Sequence, residues 1–297
     1  MPDTDELYYD AVDLLRLLIS IPSISRSETE AADAVERFMQ EHGMNPSRSG
    51  NNVWVTAPGF DPGRKTLLLN SHIDTVKPAA GWTLDPYTPE YDETTDRLYG
   101  LGSNDAGASG VSLLAAYRYL SERPQEYNLI MLLSAEEEVS GKNGIESVLP
   151  LLPPIDAAIV GEPTGMQPAI AEKGLMVLDG EVTGVSGHAA RNEGVNAIYR
   201  ALPAVERLRT LELPRVSPML GPVRISVTQI EAGTQHNVVP DLCRITVDVR
   251  TTDAYSNTDT LELIRAAVPE CTLTPRSTRL NPSSIDPCHP IVQRLEL

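Results

Sequence analysis

Four short stretches of this sequence carry side chains suited to divalent-metal chemistry. The first is Ser71-His72-Ile73-Asp74-Thr75-Val76, directly after the apolar run Leu67-Leu68-Leu69. An imidazole at a strand end can bind a metal through one ring nitrogen. Asp74, two residues on, can point the same way and hold the other nitrogen, which fixes the tautomer and raises the basicity of the ligand. The plainer alternative is a histidine that only hydrogen-bonds at a strand end. The second stretch, Tyr99-Gly100-Leu101-Gly102-Ser103-Asn104-Asp105-Ala106-Gly107, places Asp105 where a Gly-rich loop enters a helix. Its two carboxylate oxygens could bridge two cations, or the residue could simply cap the helix. The glycines are not a dinucleotide fingerprint, because G-x-G-x-x-G is not met in a strand–turn–helix context. The third stretch, Ser134-Ala135-Glu136-Glu137-Glu138, puts three carboxylates at the end of an apolar run, where they repel one another unless solvated or met by cations. In the fourth, Glu162 follows the apolar run Ala157–Val160 in Ile159-Val160-Gly161-Glu162-Pro163-Thr164.

Each stretch alone has an ordinary structural explanation, but the set is stronger than its members. One histidine and three acidic loops follow strands or enter a helix in the same domain, at the edge where open α/β sheets bind ligands. Oxygen and imidazole ligands without cysteine suit zinc, manganese or cobalt. Two such cations about 3.5–4 Å apart can activate a water and polarise a carbonyl.

The elements that must position these groups follow from periodicity. Leu7, Val12, Leu14, Leu15, Leu18 and Ile19 have helical spacing over 5–19, and Pro22 stops the pattern. A second helix is predicted from Ser27, capped by that hydroxyl with Glu30 three residues on, to about His42, with Gly43 ending it. Short strands are expected at 52–56 and 66–70, a long irregular connection at 77–98, and a helix at 106–120. A strand at 128–134, a helix at 144–149 and a buried strand at 157–160 complete the first domain. Strands alternating with helices predict an α/β layer with a mostly parallel sheet and flanking helices. From about Lys173 the pattern changes to strand 175–183, helix 196–211, strands 223–230 and 244–250, helix 258–268 and strand 271–275. That β-α-β-β-α-β order is the ferredoxin-like split unit. The expected domains are therefore 1–173, continued by 283–297, and an inserted α+β domain at 174–282. Residues 291–297 look like the start of a helix.

Composition narrows the class of function. The chain has 297 residues, 41% of them hydrophobic, which supports about two domains with real cores. A formal net charge of −17 argues against nucleic acid and against an anionic membrane surface. The N-terminus is acidic, unlike a secretory signal, and no apolar run approaches the ~20 residues of a membrane span. Three cysteines without a C-x-x-C pair fit a reducing compartment, so a cytoplasmic protein is expected.

The sequence resembles the zinc-dependent amidohydrolases and metallopeptidases that include acetylornithine deacetylase, succinyl-diaminopimelate desuccinylase and carboxypeptidase G-type enzymes. The resemblance runs in order over essentially the whole chain. It rests on H-x-D-T-V at 72–76, Gly81-Trp82, Asp85-Pro86-Tyr87, Leu98-Tyr99-Gly100-Leu101-Gly102, Asp105, the Glu137-Glu138 pair and Gly161-Glu162-Pro163-Thr164. It implies that His72 and Glu162 bind one cation and Glu138 the other, that Asp105 bridges them, and that Asp74 supports His72. It implies Glu137 as the general base, taking a proton from the attacking water and passing it to the leaving amine, with no role for Glu136. The inserted domain is similar to the family's dimerisation or lid domain. There His188, in Gly187-His188-Ala189-Ala190, would reach a partner subunit's site and stabilise the oxyanion. Asn237, in Thr234–Pro240, would contact substrate, and Arg250 would bind a substrate carboxylate, a task that suits a guanidinium fork. For Arg250 a surface ion pair is the competing explanation, and for His236 a local hydrogen bond is preferred.

One departure stands out. The family closes its second metal site with a histidine in a C-terminal segment, and this sequence stops at Leu297 before it. His289 lacks that context and is expected to be structural, so the second site is expected to be incomplete. The resulting expectation is an enzyme with two divalent cations, zinc expected and cobalt the alternative, that removes an acyl group from a small N-acyl amino acid. The acetylornithine deacetylase branch is suggested by Ala171-Glu172-Lys173-Gly174 and by residues 188–194. The rivals are a di- or tripeptidase or carboxypeptidase on the same site, and a truncated non-catalytic subunit. A homodimer through the inserted domain is expected.

Overall fold

The computed structural model describes residues 2–191 and 193–295, so Asn192 of the 188–194 motif and the end of the last expected helix lie outside the described residues. The chain divides after Met166 into two compact units. The first contains α1 (Thr4–Ser20), α2 (Thr29–Glu41), β1 (Ser47–Ser49), β2 (Asn52–Thr56), β3 (Thr66–His72), β4 (Glu90–Asp92), β5 (Arg97–Tyr99), α3 (Ala108–Ser121), β6 (Asn128–Ser134), α4 (Ile145–Val148) and β7 (Ala157–Val160). The central sheet has the order β1-β2-β6-β3-β7. β3 pairs in parallel with both β6 and β7, whereas β2 is antiparallel to β6 and to β1. Only β2 therefore runs against the other four strands, and the sheet is mostly parallel, as its alternating elements require.

β6 is buried along its whole length, and its side chains alternate between two cores. Leu129, Met131 and Leu133 face Leu14, Val35, Met39, Leu114 and Tyr117 from α1, α2 and α3. Ile130 and Leu132 pack with Leu68 and with Val148 of α4 on the other side. The register matters most for function. His72 lies opposite Ser134, and Asn70 opposite Val160, so three strands release their C-terminal loops at one edge.

Three expectations fail locally. The strand at 157–160, expected to be buried, is the edge strand β7, and Ala158 and Val160 are exposed because no further strand or helix among the described residues covers them. Ser27 does not cap α2. The helix begins at Thr29, and its cap residue Glu28 makes no side-chain bond to the helix. Residues 23–25 are drawn instead onto the segment after β3, with Thr75 N donating to Ser23 O at 2.9 Å and Ser25 N to Thr75 O at 3.2 Å. The connection at 77–98 also contains the β4–β5 hairpin.

The second unit contains β8 (Ala171–Glu172), β9 (Gly174–Thr183), β10 (Gly187–His188), α5 (Ala197–Thr210), β11 (Arg224–Ala232), β12 (Val238–Val239), β13 (Leu242–Thr251), α6 (Asn257–Ala267), β14 (Thr272–Pro275), β15 (Ser283–Ser284) and α7 (Pro290–Leu295). Its antiparallel sheet has the order β11-β13-β9-β14, which is the ferredoxin-like arrangement of a β-α-β-β-α-β unit. Met176, Leu178 and Val182 of β9 and Cys243, Ile245, Val247 and Val249 of β13 form one buried face. Ala197, Ala201, Ala204 and Leu208 of α5 and Leu261 and Ile264 of α6 cover it. The opposite face is polar. β8 pairs with β15, so the segment between them leaves and returns through one short ladder. No described helix is long and apolar enough to cross a membrane.

Candidate metal centre

His72, Asp74, Asp105, Glu137, Glu138 and Glu162 all belong to the first unit, and the loops at the sheet edge bring them together. His72 ends β3 with its side chain buried. Its Nδ1 lies 2.8 Å from the Asp74 carbonyl oxygen and 3.4 Å from Asp74 Oδ1. A carbonyl can only accept, so Nδ1 carries the proton and Nε2 faces the site. Asp74 thus fixes the ring through its main chain as well as its carboxylate.

From Nε2 the distances are 3.1 Å to Asp105 Oδ1, 3.9 Å to Glu162 Oε1 and 4.0 Å to Glu137 Oε2. Two sets of ligand atoms lie within 4.8 Å of one another: His72 with Glu137 and Glu162, and His72 with Asp105 and Glu138. Glu136 turns away. Its backbone adopts φ 55°, uncommon for a residue with a side chain, and its Oε1 accepts from Asn143 Nδ2 at 2.8 Å.

Each loop is held by its own contacts. Asp105 sits in a kinked turn, Ser103–Gly107, ahead of α3; its own backbone is non-helical (φ −113°, ψ 99°) and its peptide to Ala106 is cis. Gly102 begins that turn at φ 76°, and a Cβ there would lie 2.6 Å from Thr75 Cγ2, so only glycine lets the Asp105 loop approach the His72 loop so closely. Ser71 Oγ lies 2.9 Å from Gly161 O and 3.3 Å from Ala106 O, linking the Glu162 and Asp105 loops. Asp74 is the hub of the third loop. Its Oδ1 accepts from Glu137 N at 3.0 Å and its Oδ2 from Glu138 N at 3.1 Å and Ser25 Oγ at 2.7 Å.

The electrostatics are those of crowded carboxylates. Burial opposes a charge on His72, but the carboxylates of Asp74, Glu162 and Glu137 outweigh it and push its pKa up to about 9. Burial and the charges of Glu137, Asp105 and Glu138, resisted by His72, push Glu162 up to about 7. Burial, with Asp105 beside it, also raises Glu138. Asp74 goes the other way: burial would raise it, but hydrogen bonds from His72, Ser25 and the Glu137 amide hold it below the usual carboxylate range. Carboxylates that raise one another's pKa around one imidazole are a good fit for divalent cations, whose charge would remove the repulsion. Oxygen and nitrogen donors without sulfur suit the same ions.

The remaining candidates lie in the second unit. His188 pairs with Val238 across β10 and β12, and its Nδ1 accepts from Ala190 N at 3.2 Å. Asn237 is its neighbour, accepting from Ala189 N at 3.0 Å through its carbonyl. Arg250 lies apart near the end of β13, and its guanidinium donates to both Asp248 oxygens at 2.9 and 3.3 Å. His289 makes local contacts at the start of α7, with Nδ1 accepting from Ile291 N at 3.3 Å.

Residues 170–271 match the peptidase dimerisation domain of M20 proteins, and residues 52–152 match peptidase family M28. By these matches and the relatives below, the chain is similar to M20-type metallopeptidases and amidohydrolases. It is 31% identical to a probable carboxypeptidase of Aspergillus terreus, over 86% of this chain and 64% of that protein. It is 28% identical to a succinyl-diaminopimelate desuccinylase of Dinoroseobacter shibae, over 88% and 73% respectively. The chain thus spans just under two thirds of the length of the first of these relatives. Among solved structures, aminopeptidase PepT from Bacillus cereus superposes with a TM-score of 0.72 at 17% identity, covering 96% of this chain and 79% of that one. The Bacillus subtilis YXEP protein, a dinuclear metal-binding peptidase of the M20 family, gives 0.66 at 15% identity, covering 94% and 76%.

Two residues of this candidate centre escape a reading of motifs. Ser25 sits 49 positions from its partner Asp74. Ser71 lies inside a quoted motif, but its role depends on two loops that follow other elements. Neither has a spacing signal, because the contacts exist only after the sheet has formed.

Proposed function

We propose that this protein is a metal-dependent amidohydrolase that cleaves the amide of a small N-acyl amino acid. The observation that carries the reading is the convergence of His72, Asp105, Glu138 and Glu162 on one edge of the sheet, with Glu137 beside them. His72 and Glu162 would hold one divalent cation and Glu138 a second, with Asp105 between them. The cations, when bound, supply Lewis acidity that lowers the pKa of water and polarises the amide carbonyl.

Glu137 is proposed as the general base. Its main chain is fixed by Asp74, while its side chain is about half exposed and can reach solvent and substrate. It takes a proton from the attacking water as the new C–O bond forms. It then delivers that proton to the amide nitrogen as the C–N bond breaks. Asp74 holds the imidazole in the tautomer that presents Nε2. In the second unit, His188 is proposed to stabilise the developing oxyanion in a partner subunit, Asn237 to contact substrate, and Arg250 to exchange Asp248 for a substrate carboxylate. The matched dimerisation domain supports a homodimer through residues 174–282.

Acetylornithine is the first substrate to test, followed by succinylated diamino acids, since several relatives are desuccinylases. Peptide hydrolysis is the second reading, favoured by the carboxypeptidase relative. A panel of N-acetyl and N-succinyl amino acids against dipeptides, with and without added zinc, manganese or cobalt, separates the two. Hydrolysis that survives both Glu137→Gln and metal stripping would defeat either.

A further inference from the structure

We propose that Glu28 is a positioning residue of the metal centre. Its buried carboxylate, together with Asn52, sets the path of the loop that presents Glu137 and Glu138. The proposal rests on the metal-centre reading above and names a residue outside it.

Beyond the end of β6, four consecutive backbone amides each donate to a side chain rather than to another backbone group. Ala135 N reaches Asn52 Oδ1 at 3.0 Å and Glu136 N reaches Glu28 Oε1 at 3.2 Å. The amides of Glu137 and Glu138 go to the two oxygens of Asp74. Three acceptors from three separate segments thus hold every amide from 135 to 138. Two of these amides belong to buried residues, where an unmet N–H is costly.

Glu28 is fully buried, which is unusual for a carboxylate. It stands at the N-cap position of α2, yet it makes no side-chain bond to that helix. Its oxygens are turned to the loop and its surroundings: Oε1 also accepts from Arg26 N at 2.6 Å, and Oε2 accepts from Asn51 Nδ2 at 3.1 Å. Such charge-assisted bonds make a buried anion tolerable and stiffen what they hold. Asn52 closes the arrangement from the other side, donating to Asn143 O at 2.7 Å, while Asn143 donates to the Glu136 carboxylate. Gly141 leaves the room that this inward carboxylate occupies. With Glu136 locked inward and its amide tied to Glu28, the next two side chains are directed to the His72 side. Glu28 touches neither His72 nor a candidate ligand side chain, so it acts through the backbone path.

The test uses the whole chain and two readouts that need no turnover. One is hydrogen exchange of the segment 133–141 in chelated protein. The other is manganese(II) affinity by electron paramagnetic resonance. Glu28→Ala is expected to speed exchange of the 135–138 amides at least about tenfold and to weaken manganese binding by a similar factor. Glu28→Gln keeps an acceptor oxygen for the Glu136 and Arg26 amides and should restore both to within about threefold of wild type. Met39→Ala removes a buried side chain from the same helix without touching the loop, and it controls for general destabilisation. Glu28→Asp, which retracts the same charge by one carbon, serves if the alanine variant does not fold, and should change both readouts in the same direction. Glu28→Ala or Glu28→Asp matching Met39→Ala in exchange and affinity overturns the proposal alone. Wild-type protein without manganese affinity overturns the metal reading and the proposal with it.

Discussion

The polar face of the second unit's sheet and the candidate metal centre of the first unit handle acidic side chains in opposite ways. On the polar face of the second unit's sheet, acids are matched to arginines: Asp179 with Arg276 at 2.8 Å, Glu181 with Arg244 at 3.1 Å, and Asp248 with Arg250 at 2.9 Å. Hydrogen bonding to Arg276 accordingly holds Asp179 below the usual carboxylate range. In the first unit, Asp105, Glu137 and Glu162 gather within 4.0 Å of one imidazole nitrogen, and Glu162 is driven upward to about 7. An arginine is a permanent counter-charge. A histidine can give up its proton and offer a lone pair, so the first arrangement can exchange its positive charge for a cation and the second cannot. Where acids crowd a histidine, charge balance is left open for a ligand.

The sharpest way to break this comparison is Glu137→Gln. Losing a positioned proton-transfer group should cost about 10²–10⁴-fold in turnover, while thermal melting stays the same or rises because one repelling charge is gone. A proportionate fall in stability would instead make Glu137 part of the scaffold. Asp74→Asn should come next. It removes an acceptor shared by the imidazole and the base's loop, and changes to groups that orient metal ligands typically cost ~10–100-fold in affinity. Competition with a chromogenic chelator measures it.

Cation binding should raise the melting point, by an amount equivalent to about 2.7 kcal/mol at a hundred times Kd, and the gain should grow with pH. His72 is shifted upward from 6.5 to about 9 and Glu162 from 4.5 to about 7, so both favour the protonated fold. Their contribution to metal-free stability is complete below the unfolded values and fades as pH rises through about 7 and then about 9. Metal-free protein should therefore melt lower at pH 9 than at pH 6.5, and cation binding near pH 7.5 should release protons to the buffer. A melting gain independent of pH would contradict this. The smallest effect belongs to the other side of the comparison. Glu181→Gln breaks an exposed pair with Arg244 and should change stability by less than about 1 kcal/mol in denaturant titration.

Much of the fold was legible because the relevant signals are local. The buried run at 128–134, the apolar run at 157–160 (a strand, though half exposed at the sheet's edge) and the alternation along 174–183 read directly as strands, and the β-α-β-β-α-β order gave the second sheet's topology. The candidate ligands were legible for the same reason, since each follows a strand or enters a helix. β1 was not, because Ser47-Arg48-Ser49 has no apolar alternation and is a strand only through β2. The Ser27–Glu30 capping box was misread for a different reason. The contacts of Ser23 and Ser25 with Thr75 displace the start of α2, and a tertiary force of that kind leaves no local pattern. Glu28, Asn52 and Ser25 were invisible on the same account, each meeting its partner across 49 to 108 positions.

The ladder between β8 and β15 has a consequence for how such a chain can vary. Entry and exit of the intervening hundred-odd residues lie side by side, two residues against two. A segment that starts and finishes at one point can be exchanged for a longer, shorter or unrelated one without dragging its neighbours apart. Change within that segment is thereby uncoupled from the chemistry encoded before it.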